Sequence, residues 1–387
     1  MKKWVVLFAV LCILVGAAGA CAETQGSDYL SDFDEALRMT EEYNPFIPII
    51  RSNTANYDAI CAEERELVRT RCRSAEELKV ILADLFARIG NPGHLAMIDA
   101  ASYREYQYIL EQGLYGENSP EDLLINDPLT RATYEGMPYS QPVTEDRSNM
   151  YPPYVTYDEG RNLLYIRMLS FRHELIERDR NVFADALRAH PETKHIVFDI
   201  CGNGGGSDYY WSELLVAPFG EPVSYEKRVF FRDNDLTRRY GYMEGAVPVS
   251  ELDQEDVPAF VGELGLTHML SGLIAIEPAE EGRRIRSDAQ RWVLIDEYVF
   301  SAADGFAGFC KQTGWATLVG RTTMGDGGSS APVLARLPET GLLMRFSAMA
   351  SANQENQLNT FYGTSPDYPS KPFEHVYDTV LRIIDAQ

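Results

Sequence analysis

Two short segments hold the residue types that acyl-transfer chemistry needs. The first, Asp199–Gly206, reads Asp-Ile-Cys-Gly-Asn-Gly-Gly-Gly and ends an apolar stretch. Glycine adopts backbone conformations closed to other residues, so several N–H groups can converge on one point, as an oxyanion hole requires. We therefore predict the amides of Gly204 and Gly205 as oxyanion donors. A tight turn or a phosphate loop is the alternative, but neither a Gly-x-Gly-x-x-Gly spacing nor a Lys-Ser/Thr pair is present.

The second segment, Val293–Phe306, places Ser301 after an apolar strand and at the start of a helix. A serine at that position lies near unbonded backbone N–H groups and the positive end of the helix dipole. The same N–H groups can stabilise a tetrahedral oxyanion, and the Ala302 amide is the natural donor. Serine is also among the commonest N-cap residues, so a purely structural cap is the plain alternative.

In this order, the two segments resemble the C-terminal-processing (tail-specific) serine peptidases and the tricorn core protease. Four motifs carry the resemblance: Asp199–Gly206 is similar to Asp-Leu-Arg-Gly-Asn-Gly-Gly-Gly, Ser301–Asp304 to Ser-Ala-Ala/Ser-Glu, Ala316–Gly325 to Ala-x-Leu-Val-Gly-x-x-Thr-x-Gly, and Gly363–Asp367 to Gly-x-x-Pro-Asp. The resemblance spans residues 163–367. It implies an α/β fold, with a crotonase-like ββα superhelix as the catalytic core, and peptide-bond hydrolysis with Ser301 as the nucleophile.

The resemblance offers two ways to activate the serine. Tail-specific members place a lysine downstream of the serine where this chain has Asp326, so a Ser-Lys dyad is not expected. The tricorn-like branch uses a histidine from an Asp-Gly-His-Thr/Ser motif, and Asn91–Leu95 (Asn-Pro-Gly-His-Leu) is similar to it. We therefore expect His94 to be the general base, with His195 as the remaining candidate.

A third side chain is expected to hold the imidazole in the correct tautomer. In the tricorn-like branch, a glutamate shortly before the Gly-x-x-Pro-Asp motif has this role. Glu355 is the only carboxylate in the corresponding stretch, residues 353–362, and is the predicted third residue. Asn359 is a neutral alternative.

The elements that position these residues are predicted as an α/β body preceded by helices. Residues 29–90 form an N-terminal helical bundle, whose clearest helix begins with the capping box Ser74–Glu77. Residues 91–160, with the histidine motif, are a partly irregular connecting segment. They lack the Gly-Leu-Gly-Phe-like loop of a PDZ domain, which favours the PDZ-less branch. The serine peptidase core follows at 161–387.

Within the core, apolar runs predict strands at residues 163–168, 195–200, 292–295 and 316–319. Pro338–Gly341 separates two apolar runs and predicts a hairpin turn. Pro372 is expected to open a final amphipathic helix with Phe373 on its apolar face.

Residues 1–21 are predicted as a lipoprotein signal peptide. A basic start, an apolar run and small residues lead to Cys21, an order typical of an export signal. Its end resembles a bacterial lipobox, in which Cys21 receives lipid. An uncleaved anchor helix or plain cleavage near Ala20 is the alternative. We expect an extracytoplasmic lipoprotein anchored in the cell membrane, with residues 22–28 as a tether.

The net charge of the chain excludes some classes of binding partner. With 35 Lys and Arg against 58 Asp and Glu, the formal charge is −23, which repels phosphate and disfavours nucleic acid and acyl-CoA. We expect a peptide or protein substrate, no cofactor and no metal, because no Cys or His cluster has ligand spacing. A catalytically inactive relative that binds peptides is the main alternative, since Cys201, Asp304 and Asp326 depart from the family pattern.

Overall fold

The computed structural model describes residues 28–138, 151–285, 287–328 and 331–387. The predicted signal peptide, the lipidation residue Cys21 and all of the tether except Asp28 lie outside these ranges. Within them, no helix combines the length and the apolar character that crossing a membrane requires.

The helices and strands are numbered here in chain order. The helices are α1 (28–43), α2 (Ile47–Asn53), α3 (Tyr57–Arg71), α4 (Ala75–Arg88), α5 (Ala100–Glu111), α6 (Pro120–Ile125), α7 (Pro128–Glu135), α8 (Ile176–Ala189), α9 (Asp208–Trp211), α10 (Asp235–Arg239), α11 (Ala259–Glu263), α12 (Ala302–Thr313), α13 (Asn359–Tyr362) and α14 (Val376–Ile384). The strands are β1 (Ala96–Met97), β2 (Tyr154–Asp158), β3 (Leu163–Arg167), β4 (His195–Asp199), β5 (Val223–Phe231), β6 (Val247–Pro248), β7 (His268–Ile276), β8 (Gln290–Ile295), β9 (Thr317–Gly320), β10 (Val333–Arg336), β11 (Leu343–Phe346), β12 (Met349–Ser351) and β13 (Tyr368–Pro369).

Two compact units organise the chain, and each joins segments that are distant in sequence. The first unit contains the described residues of 1–142, 234–241 and 331–348, and the second contains those of 143–233, 242–330 and 349–387. The units therefore cut across the predicted domain boundaries near residues 90 and 160. Strand pairing explains this, because β11 pairs with β1 and β2 pairs with β3.

The first unit is mainly helical, with the small antiparallel sheet β1–β11–β10. The predicted capping box of α4 is confirmed in part. Ser74 Oγ accepts from the Glu77 N–H at 3.2 Å, but the Glu77 carboxylate accepts from the Arg73 N–H at 2.6 Å and not from that of Ser74. The predicted hairpin turn at Pro338–Gly341 is also confirmed, since it joins β10 to β11.

Among its described residues, the connecting segment contains the helices α5, α6 and α7. Two of its tyrosines are buried: Tyr103 and Tyr134 stack with ring centroids 4.3 Å apart. The Tyr134 hydroxyl donates to the Ile98 carbonyl at 2.9 Å and accepts from the Leu343 N–H at 3.0 Å. Part of the tyrosine content that suggested a loop therefore packs between helices, with the Tyr134 hydroxyl hydrogen-bonded.

The second unit contains a six-stranded sheet with the order β13-β9-β8-β4-β3-β2, parallel except for β2. Successive side chains of a strand point to opposite faces, so Ile196 and Phe198 pack on the side of α8 and α12 while Val197 packs on the side of α14. Burial on both faces explains the continuous apolar runs. The predicted α/β fold with a helical N-terminal region is confirmed.

The last helix differs from its prediction. α14 begins at Val376, where the His375 ring accepts the Tyr377 N–H at 3.2 Å, and not at Pro372. A turn precedes it, in which the Glu374 carboxylate accepts the Lys371 N–H at 3.0 Å. Phe373 has a φ of +65° in this turn and is fully exposed, so its assignment to the apolar face was wrong.

Candidate active site

Ser301 occupies the turn between β8 and α12 with an unusual backbone conformation. Its φ is +55° and its ψ is −130°, a region that residues with a side chain rarely adopt. Four backbone hydrogen bonds enforce it: Phe300 N–H to Asn203 O (3.1 Å), Ser301 N–H to Gly325 O (3.0 Å), Met324 N–H to Val299 O (2.8 Å) and Gly305 N–H to Ser301 O (2.9 Å). A serine on a strained strand-to-helix turn is the arrangement that presents a nucleophilic hydroxyl in hydrolases of another fold.

The Ser301 side chain does not act as a helix cap. Although the residue precedes α12 directly, within the described chain its hydroxyl accepts no hydrogen bond from the amides of the first helical turn. A structural cap has extended backbone and that hydrogen bond, and Ser301 has neither. The capping explanation for this serine therefore loses its physical basis.

The glycine loop lies directly against the serine turn. A Cβ built on Gly205 would lie 2.8 Å from Phe300 O, 2.9 Å from Ala302 N and 2.9 Å from Ser301 Cβ. With a φ of +96°, this position excludes any residue with a side chain on both steric and conformational grounds. The glycines of this loop therefore allow its backbone to pack directly against the serine turn.

The predicted oxyanion donors differ in what their amides contact. The Gly205 N–H donates to Asn203 Oδ1 at 2.8 Å. The N–H groups of Gly204 and Ala302 have no acceptor among the described residues. Ala302 is the first residue of α12, so its amide lies at the positive end of that helix and remains the natural oxyanion donor.

Sequence reasoning missed the role of Asn203. Its side chain is fully buried, donates from Nδ2 to the Met168 carbonyl at 3.1 Å and accepts the Gly205 amide. Its own carbonyl accepts the Phe300 N–H. Asn203 thus joins the glycine loop to β3 and to the serine turn, and its position inside a glycine run was the available signal.

Asp304 anchors the start of α12. It is 1% exposed and accepts from Thr323 Oγ1 at 2.5 Å, from Asn359 Nδ2 at 2.9 Å and from the Gly327 N–H at 3.0 Å. Burial raises the pKa of the Asp304 carboxyl, while the hydrogen bonds from these three donors act in the opposite direction. The network fixes residues 323–328 beside the serine turn.

Residues 324–328 hold the position where the resemblance would place a lysine. Asp326 is 3% exposed, has a φ of +66° and accepts from Thr360 Oγ1 at 3.0 Å. The neighbouring amides of Gly327 and Gly328 both donate to Asn359 Oδ1, at 3.1 and 3.3 Å. A buried carboxylate therefore lies in the loop that hydrogen-bonds to Ser301.

The candidates for the third catalytic residue have other contacts. Glu355 is exposed in a turn, where it accepts from Ser365 Oγ at 2.6 Å, and no described hydrogen bond joins it to the serine turn. Both ends of the Asn359 amide are used by Asp304 and by the glycine amides. If Asn359 were to accept a hydrogen bond from the Nδ1–H of a histidine, as the alternative prediction requires, this network would have to break. The assignment of Glu355 stays a prediction.

His94 belongs to the first unit and is held by packing. It ends a short 3-10 turn, Pro92–His94, and a Cβ on Gly93 would lie 2.3 Å from Phe46 Cε2. The buried Ser347 places its hydroxyl 3.3 Å from His94 Nδ1, and its N–H donates to the Gly93 carbonyl at 2.5 Å. Ser347 was not foreseen. In the tautomer in which Nδ1–H donates to this hydroxyl, Nε2 is the nitrogen that can accept a proton.

Other candidates for chemistry are disfavoured. His195 begins β4, four residues from Asp199 at the loop end, or about 13 Å at 3.3 Å per residue. Burial, with a contribution from Lys194, lowers the pKa of its ring. Burial and the nearby Asp199 and Asp296 carboxylates raise the pKa of the Cys201 thiol, so it is not an activated nucleophile.

The described residues form neither a metal cluster nor a disulfide. Across the ranges that the structure describes, no group of three or more His, Cys, Asp or Glu side chains could hold a metal ion. Cys61 and Cys72, which an oxidising compartment could join, are both free thiols.

Comparisons with known proteins identify a family and a fold. The model of peptidase family S41 matches residues 162–370, just over half of the chain. Mature CPAF complexed with lactacystin is 13% identical, with a TM-score of 0.54, and the match covers 94% of this chain and 98% of that one. The structure of a candidate peptidase from Parabacteroides merdae is 17% identical, with a TM-score of 0.52, and covers 94% and 99%. These identities show a shared fold, and no curated protein matches the chain.

Proposed function

We propose, from the premise that this chain belongs to peptidase family S41, that it hydrolyses peptide bonds through an acyl-enzyme on Ser301 with His94 as general base. The observation that carries the proposal is the strained backbone of Ser301, which four backbone hydrogen bonds impose. Strain of this kind persists only where the surrounding structure maintains it, and it clusters at active sites. Protein or peptide substrates follow from the family.

The reaction uses the groups described above in two steps. Ser301 Oγ attacks the peptide carbonyl carbon while His94 takes the hydroxyl proton, and the Ala302 amide, with Gly204 or Gly205, stabilises the oxyanion. The C–N bond breaks as the imidazolium returns that proton to the leaving amine. Water then attacks the acyl-enzyme ester, gives its proton to His94 and releases the carboxylic acid, with Ser301 recovering its proton.

Hydrolysis of a complex peptide mixture tests this proposal. The full chain and the Ser301→Ala variant are incubated with the mixture, and new termini are identified by mass spectrometry. We expect the parent protein to produce new termini and the Ser301→Ala variant to produce none. The two products of each cleavage should together contain one water more than the peptide that was cleaved. Cleavage that persists in Ser301→Ala would assign the chemistry elsewhere, and a folded but inert parent would favour the peptide-binding alternative.

We also propose that the chain is an extracytoplasmic lipoprotein anchored through Cys21. The support is the order of basic, apolar and small residues that ends at this cysteine. A single lipid chain gives only reversible membrane binding, so a firmly bound protein requires more than one acyl chain. Full-length protein should partition with the membrane fraction and incorporate labelled fatty acid, and Cys21→Ala should abolish the labelling. Labelling that survives Cys21→Ala would contradict the assignment.

A further inference from the structure

The loop after β9 carries a buried acid directly beside the serine turn. The Ser301 N–H donates to the Gly325 carbonyl at 3.0 Å, and Phe300 and Gly325 form a parallel bridge. Asp326 follows Gly325 in the chain. Standard bond lengths then keep the Asp326 Cα within about 7 Å of the Ser301 backbone nitrogen.

The backbone of this loop does not itself require an acid. A φ of +66° at position 326 is adopted by asparagine as readily as by aspartate. Thr360 Oγ1, which donates to Asp326 Oδ1 at 3.0 Å, would donate equally to an asparagine oxygen. The side chain is 3% exposed, and burying an ionised carboxylate costs more hydration free energy than burying a neutral amide. The acid at this position therefore calls for an explanation in chemistry rather than in folding.

The other carboxylates of this region are less suited to the site. Asp304 is saturated by donors from Thr323, Asn359 and Gly327. Glu355 is exposed and pairs with Ser365. Among the described residues, Asp326 is thus the carboxylate that combines burial with a loop hydrogen-bonded to the nucleophile's own backbone.

We propose that Asp326 is the acidic member of the catalytic group, a positioning residue that stabilises the positive charge of the general base after it takes the Ser301 proton. The inference rests on the proposed function. A general base must come within hydrogen-bond reach of Ser301 Oγ, so its charge develops near the loop that carries Asp326. Opposite charges attract more strongly where one of them is buried, and Asp326 is 3% exposed. In this proposal Asp326, rather than Glu355, supplies the negative charge, while the contact at His94 Nδ1 belongs to Ser347.

The test measures how fast a fluorophosphonate labels Ser301, as a function of pH, in Asp326→Asn and Asp326→Glu. Asp326→Asn should label on the order of 10⁴-fold more slowly, as when the acid of a serine triad is replaced by its amide. Asp326→Glu, which keeps the charge, should recover part of that loss. Asp185→Asn, which changes an exposed acid on α8, is the matched control and should label like the parent.

The pH profile separates an electrostatic role from a structural one. Removing a carboxylate that stabilises the protonated base makes the base lose its proton more easily, so the acid limb of the Asp326→Asn profile should move to lower pH. Structural damage alone would lower the maximal labelling rate without shifting the pH at which the acid limb of the profile falls. Thr360→Val, which removes the donor to Asp326 but keeps the acid, should slow labelling by about 2- to 10-fold.

The outcomes of these experiments distinguish Asp326 from Glu355 as the acid. If Asp326→Asn labels like the parent while Glu355→Gln is slow, Glu355 is the acid and the inference is wrong. If Asp326→Asn does not fold, a Thr360→Val profile identical to the parent's would overturn it as well. A parent that is never labelled contradicts the proposed function itself, which is a distinct failure.

Discussion

The turn that carries Ser301 and the turn that carries His94 are both held in left-handed backbone conformations, but by different means. Ser301 has a φ of +55° and is fixed by backbone hydrogen bonds from two other loops. His94 has a φ of +61° and is fixed by the ring of Phe46 against Gly93 and by Ser347. Main chain positions the proposed nucleophile, whereas side chains position the proposed base.

This difference has a consequence for sequence tolerance. Backbone hydrogen bonds do not depend on the identity of the side chains around them. Among the side chains near the serine turn, those of Asn203 and Asp304 hold the neighbouring loops, and Gly205 must lack a Cβ. The histidine turn depends on particular side chains, and a substitution there acts on the orientation of His94.

The largest effect is expected from breaking the main-chain contact of the serine turn. In Gly205→Ala, the new Cβ would lie under 3 Å from three atoms of the turn, two of them backbone atoms that cannot rotate away. Displacing the oxyanion donors should slow fluorophosphonate labelling by roughly 10²- to 10³-fold. The overpacking should also cost about 1–3 kcal/mol in the free energy of unfolding. An alanine variant with the parent's labelling rate would refute the close packing of the two loops.

A smaller effect on stability should follow from Asp304→Asn. One acceptor oxygen becomes a donor. It must face either the Gly327 and Asn359 N–H groups or the Thr323 hydroxyl, which already accepts from the Thr364 N–H, and this should cost about 1–3 kcal/mol in the free energy of unfolding. Urea denaturation measures this cost.

The cost of Asp304→Asn should also depend on pH. Because burial raises the folded-state pKa of Asp304, its contribution to stability is fully present below its unfolded pKa of about 3.9. That contribution is lost as the pH rises through the raised folded value. The free energy of unfolding of the parent should therefore exceed that of the variant most at pH 4 and less at pH 7. A gap that widens with pH would mean that Asp304 is stabilised as the carboxylate.

The smallest effect should come from the contact that orients the base. Ser347→Ala removes one hydroxyl 3.3 Å from His94 Nδ1. The loss of a single hydrogen bond corresponds to a labelling rate about 2- to 10-fold lower, with little change in unfolding. Ser347→Thr keeps the hydroxyl and serves as the control. Equal rates in Ser347→Ala and the parent would show that packing against Phe46 alone orients His94.

Local pattern was enough to predict four strands of the six-stranded sheet and the two loops, but not the nine-residue strands β5 and β7. Continuous apolar runs gave β3, β4, β8 and β9, and the order of the glycine and serine motifs gave the family, since both signals lie within short segments. The strain at Ser301 was not predictable, because it arises from hydrogen bonds to Asn203 and Gly325, which lie in other loops.

Long-range partners account for most of what sequence reasoning missed. Ser347 contacts His94 across 253 positions of sequence, and β11 pairs with β1 over a similar separation. No periodicity connects such residues. The helices α5–α7 were missed because their buried tyrosines have a polar hydroxyl, which weakens the apolar pattern that marks a helix.

The central claim is that Ser301 is an activated nucleophile with His94 as its base. Intact-mass spectrometry of the full chain after fluorophosphonate treatment tests it most directly, alongside Ser301→Ala and His94→Ala. We predict a single adduct on the parent, none on Ser301→Ala, and labelling slowed on the order of 10³-fold or more in His94→Ala. A folded parent with no adduct, or an adduct that persists in Ser301→Ala, would contradict the account.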